Sequence, residues 1–139
     1  MRSNDKVIKI FTDGGARGNP GPAAVGVVIC DANEQVLFEF GDTIGHATNN
    51  VAEYCALIAG LEIAKRLKVK KVECYMDSEL LKNQMAGAYK VKTEHIRELF
   101  NEAKKSASHF DEISYHHRRR EYPLMRHADK MVNQALDNQ

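Results

Sequence analysis

Four carboxylates in this sequence stand where predicted elements end or begin: Asp13, Glu53, Asp77 and Asp129. Asp13 closes an apolar run at 7–12, and Asp77 closes another at 72–76. Glu53 falls in the first turn of a helical pattern that starts near 51, and Asp129 falls early in one that starts near 126. Carboxylates gathered at one point repel each other unless cations neutralise them, and such hard oxygen donors suit magnesium or manganese rather than zinc. Two such ions about 4 Å apart can activate a water and stabilise the leaving oxygen in phosphodiester hydrolysis. Each acid also has a structural explanation, Asp13 being simply the last residue of the first strand of an ordinary hairpin. Asn50 and Glu53 have the spacing of a reciprocal helix cap, Asp77 could cap the helix that follows it, and Asp129 would favour an early helical turn.

For the four to act as a set, the chain must bring them to one place. Period-two apolar runs predict strands at 7–12, 23–30, 36–40, 72–76 and 112–116, and apolar residues at helical spacing predict helices at 51–67, 78–85, 93–107 and 126–136. The short link Asp31-Ala32-Asn33-Glu34 implies an antiparallel hairpin, whereas strands joined by helices imply parallel neighbours. The fold class is therefore α/β, with a five-stranded mixed sheet flanked by helices. If the first and fourth strands are adjacent and parallel, Asp13 and Asp77 emerge at the same sheet edge, where open α/β proteins place their ligands. The stretch from Gly14 to Pro22 reads as a tight connection whose missing side chains let a ligand's backbone approach.

The totals fit one domain. The chain has 139 residues, 28% of them charged and 43% hydrophobic, and a formal net charge of only +1, so no global basic bias announces nucleic acid. A single catalytic domain is expected over 7–137, between a flexible start at 1–6 and a short tail at 138–139. Cys30, Cys55 and Cys74 lie in apolar surroundings without ligand spacing and read as reduced thiols. No run approaches about 18 apolar residues, so a cytoplasmic monomer with no membrane contact is expected.

Taken together, Thr12-Asp13-Gly14-Gly15-Ala16-Arg17-Gly18-Asn19-Pro20-Gly21-Pro22, Thr48-Asn49-Asn50-Val51-Ala52-Glu53, Met76-Asp77-Ser78 and Ala128-Asp129 resemble the motifs of the type 1 ribonuclease H family, in order and over nearly the whole chain. The resemblance implies a ribonuclease H-like fold and cleavage of the RNA strand of RNA/DNA hybrids with two magnesium ions, manganese being an alternative, to give 5′-phosphate and 3′-hydroxyl ends. It makes Asp13, Glu53, Asp77 and Asp129 the metal-binding and catalytic acids. It also implies contacts with the hybrid from Gly14, Ala16, Arg17, Gly18, Asn19, Thr48 and Asn49, with His46 beside a DNA phosphate.

The sequence departs from the family pattern in three places. Glu79 stands where a glutamine often reaches the minor groove, and an ionised carboxylate cannot donate a hydrogen bond. Residues 86–92 pass almost directly between the middle helices, so the family's basic protrusion is absent, leaving Lys90 and Lys92 to meet phosphates. Met125 replaces an asparagine before the last acid, and His116, His117 and His127 compete for the role of a mobile histidine that aids turnover. Position relative to the fifth strand favours His117. Arg118, Arg119 and Arg120 read either as a solvated loop or as backbone binders. These departures keep open a same-fold nuclease that prefers double-stranded RNA or RNA–DNA junctions, and a hybrid-binding module without catalysis.

Overall fold

In chain order the elements are β1 (Val7–Ala16), β2 (Gly21–Cys30), β3 (Val36–Ala47), α1 (Asn49–Lys65), β4 (Lys71–Met76), α2 (Glu79–Met85), α3 (Glu94–Ala107), β5 (Glu112–His117) and α4 (Pro123–Asp137). This computed structural model describes residues 6–139, so the flexible start expected at 1–6 lies outside the described residues except for exposed Lys6. The five strands form one sheet in the order β3-β2-β1-β4-β5. β1 pairs antiparallel with β2 and parallel with β4, and β4 pairs parallel with β5, giving the expected mixed sheet.

Alternation along the central strands divides the core between two faces. Ile8, Ile10, Val27, Ile29, Cys74 and Met76 pack with Tyr54, Leu57 and Leu61 of α1 and with Ile96 and Ala103 of α3. On the other face, Phe11, Val28, Cys30 and Tyr75 meet Leu124, Met125 and Ala128 of α4. The three cysteines are free thiols. Burial pushes the Cys30 thiol up to about 12, which makes it inert at neutral pH. Among the described residues no helix is long and apolar enough to cross a membrane.

Several boundaries differ from the sequence expectation. β1 does not stop at residue 12: its pairing with β4 ends at Thr12 and Met76, while its pairing with β2 continues to Ala16 and Ala23. β3 runs to Ala47 because β2 supplies partners as far as Gly21. α1 is capped by Thr48, whose hydroxyl accepts from the Val51 amide, so Asn50 lies inside the helix and the expected Asn50–Glu53 cap is not formed. Glu53 is therefore the fifth helical residue rather than a first-turn one. α4 starts at Pro123, earlier than expected, with proline in its favoured position in the first turn and Leu124 and Met125 buried. Between α2 and α3 only residues 86–93 intervene, and Gly87 takes a φ of 87° just beyond the C-cap Ala86.

Candidate active site

Two glycines explain why the helices can deliver acids to the sheet. A Cβ on Gly14 would overlap the backbone carbonyl of Ala52, so only glycine lets α1 come close enough to set Glu53 beside β1. Gly26 lies directly across the ladder from Asp13, and a Cβ there would overlap the carbonyl of Ala128. That approach sets Asp129 of α4 over Asp13. Asp77 follows Met76, and Asp13 follows Thr12, so both step off the last paired position of the two parallel strands at the same level.

All four acids line one cleft of about 460 Å³, together with Gly14, Gly15, Ala16, Arg17, Asn49, Ser78, Arg120 and Asn133. Asp13 is the most enclosed, with 7% of its surface exposed. Burial, then a hydrogen bond and charge repulsion from Asp129, push its carboxyl up to about 8, although Arg120 pulls the other way. Burial likewise raises Glu53 to about 7, while a hydrogen bond from Ser78 opposes the shift. Ser78 also caps α2 by accepting from the Leu81 amide, so Asp77 is left free of that duty. The Arg120 guanidinium donates to Asp77 at 3.3 Å and lies 3.8 Å from Asp129.

This donor set fits hard divalent cations. It consists of carboxylate oxygens, the innermost of which is pushed upward first by burial and then by Asp129, and Arg120 lies between Asp77 and Asp129. With the side chains as they stand, no three acids, histidines or cysteines among the described residues are already gathered as a metal-binding group.

Other expected contact residues distribute unevenly. The β1–β2 turn is tied to the start of α1: the Ala16 amide donates to Asn49 Oδ1 at 2.8 Å, and the Asn49 amide donates to Asn19 Oδ1 at 3.0 Å. Asn49 thereby keeps its side-chain NH₂ for another acceptor. Arg17 turns towards α4, 2.6 Å from Asp137. Gly18, His46, Lys90 and Lys92 are exposed, and Thr48 is half-buried in its cap.

His117 does not line the cleft; its Nδ1 lies 3.8 Å from exposed Glu79. His116 stacks on Tyr75, and His127 is bonded to Glu39 at 2.6 Å. Of the three arginines, Arg119 is exposed, Arg118 lies over the rings of Tyr75 and Tyr122, and Arg120 alone enters the cleft. Ser78 and Asn133 were not among the expected site residues. Asn133 donates from its side-chain amide to Asp129, and its signal was the one-turn spacing from that acid along α4.

A family model described as reverse transcriptase-like matches residues 11–135. The bifunctional protein Rv2228c of Mycobacterium tuberculosis is 44% identical over 133 residues, a match covering 94% of this chain and 35% of that protein. The chain thus spans about a third of the length of the mycobacterial relatives it matches. The crystal structure of ribonuclease H1 from Halobacterium salinarum superposes with a TM-score of 0.90 at 39% identity, over 96% of this chain and 99% of that one. The structure of LC11 ribonuclease H1 in complex with an RNA/DNA hybrid superposes at 0.87 and 43% identity, over 94% and 97%.

Proposed function

Because the chain belongs to the type 1 ribonuclease H family, we propose that it hydrolyses the RNA strand of RNA/DNA hybrids, leaving 5′-phosphate and 3′-hydroxyl ends. One observation carries this reading: acids from β1, α1, the residue after β4 and α4 line a single open cleft at the edge where β1 and β4 part. Magnesium or manganese ions held by Asp13, Glu53, Asp77 and Asp129 would activate a water for in-line attack on phosphorus and stabilise the departing 3′-oxygen.

The protein's own groups then have distinct tasks. Asp13, rigid within β1 and almost closed off from solvent, fixes the floor of the cleft. Ser78 holds Glu53 in position, and Asn133 does the same for Asp129. The connection held by Asn19 and Asn49 keeps the backbone of Gly14, Gly15 and Ala16 along one wall of the cleft. There the Asn49 NH₂ would donate to a ribose 2′-hydroxyl, the group that separates RNA from DNA. Exposed Lys90 and Lys92, outside the cleft, are left to meet phosphate, a contribution that weakens with salt.

End-labelled RNA/DNA hybrid, double-stranded RNA and double-stranded DNA, each incubated with magnesium, test the reading. Preferential cutting of the RNA strand in the hybrid is the expected result. Equal or faster cutting of double-stranded RNA would replace the substrate assignment, and magnesium-independent binding without cleavage would replace the enzyme by a binding module.

A further inference from the structure

Arg120 is the one arginine of the triplet in the cleft, and its position is built rather than incidental. The backbone on its N-terminal side is tied to the sheet, where the Arg118 amide donates to the Met76 carbonyl at 3.0 Å. The Arg118 guanidinium lies 4.8 Å from the centre of the Tyr75 ring and 5.8 Å from that of Tyr122. On the C-terminal side, the Tyr122 hydroxyl donates to Glu34 at 2.6 Å, and the Tyr122 amide closes a turn onto the Arg119 carbonyl. The loop is thus pinned on both sides of residue 120, while the Arg120 side chain remains 60% exposed. Its guanidinium bridges two acids from different elements, Asp77 after β4 and Asp129 in α4.

The geometry points to Arg120 as a tethered counter-ion that competes with divalent metal for Asp77 and Asp129 and must withdraw before both acids can serve as metal ligands. This inference rests on the proposed metal-dependent activity and adds to it a control on metal affinity supplied by the chain itself. A guanidinium's planar fork suits spanning two carboxylates, whereas a lysine ammonium is a point charge. Part of the electrostatic cost of assembling the acids is therefore offset before metal arrives, and the same attraction opposes metal entry. Once displaced, the side chain is positioned at the cleft mouth, where its charge can meet a phosphate.

The test is manganese binding to the substrate-free protein, followed by calorimetry at low and high salt, for the wild type, Arg120→Gln and Arg120→Lys. Arg126→Gln, which removes an exposed charge outside the cleft, serves as the control. Arg120→Gln should tighten manganese binding by roughly three- to tenfold at low salt, the factor two exposed ion pairs of ordinary strength supply. The gain should shrink at high salt. Arg120→Lys should fall between, and Arg126→Gln should match the wild type. In EDTA, Arg120→Gln should also melt earlier than Arg126→Gln, since its acids lose their counter-ion. Equal or weaker manganese binding by Arg120→Gln would overturn the competition while leaving the metal site intact. Absence of binding in every variant would overturn the metal-dependent reading and the inference with it.

Discussion

Two charged clusters lie on neighbouring parts of the same sheet and solve opposite problems. In the cleft, Asp13, Glu53, Asp77 and Asp129 converge with Arg120 between two of them, and burial pushes the Asp13 and Glu53 carboxyls well above their usual range. A short way along β1 and β4, Glu34 accepts from Tyr122 and from Lys9 at 3.1 Å, and Arg118 lies on Tyr75 and Tyr122. Hydrogen bonding from Tyr122 and then the Lys9 contact hold the Glu34 carboxyl below its usual range. Every charge in the second cluster has a partner, so it stabilises the fold; the first is short of positive charge, as the proposed metal binding requires. On the proposed function, the contrast separates an acid kept for binding from one kept for structure, although both are carboxylates within a few residues of a strand end.

The strongest way to break this comparison is Asp13→Asn. Cleavage of hybrid should fall on the order of 10²–10³-fold or more, the range for losing one group that stabilises the transition state electrostatically. In EDTA the same variant should melt higher than the wild type by several degrees, because a buried repulsive acid has been removed. The gain carries a sign in pH. The folded-state value of about 8 lies above the reference of 3.8, so the folded protein binds more protons than the unfolded chain between those values. Wild-type stability is therefore lost as pH rises through that window, and the advantage of Asp13→Asn should grow from pH 4 to pH 8. A variant that keeps its activity or melts lower throughout would place Asp13 in the structural class.

A smaller loss is expected from Tyr122→Phe, which leaves the ring stack but removes the hydrogen bond to Glu34. It should cost about 1 kcal/mol in urea unfolding, since the pair is partly solvent-screened. Its pH dependence runs opposite to that of Asp13. Glu34 is depressed below its reference of 4.5, so its contribution is present above that value and is lost as pH falls through the lower folded-state value. Tyr122→Phe and wild type should consequently draw together in stability as pH falls below 4.5. Smallest of all, Arg118→Ala should cost about 0.5–1 kcal/mol, the worth of an accessible cation–π contact. A larger stability loss than that of Tyr122→Phe would show that the ring stack depends on the guanidinium.

The sequence made the sheet, the crossover and the meeting of the four acids legible, because apolar periodicity and strand-end carboxylates are local signals. It concealed what pairing decides. Gly14, Gly15 and Ala16 have poor strand propensity and look like a turn, yet β2 supplies partners that keep them in β1. Thr48 and Asn50 are both competent caps, and only the hydrogen bond to Val51 chooses between them. Three consecutive arginines are chemically equal on paper; the aromatic stack under Arg118 and the turn at Arg119 decide which one faces the acids. His117, favoured by its position after the fifth strand, lies 3.8 Å from Glu79, while Arg120 of the loop that follows lines the cleft.

The close approaches at Gly14 and Gly26 carry a lesson about mutational tolerance. Neither residue has a side chain that could bind or react, yet adding a single methyl group would drive a helix backbone outward and carry an acid with it. Substitution tolerance here tracks whether two backbones can touch as much as it tracks chemical competence, and a scan scored on turnover would group these empty positions with the carboxylates they bring together.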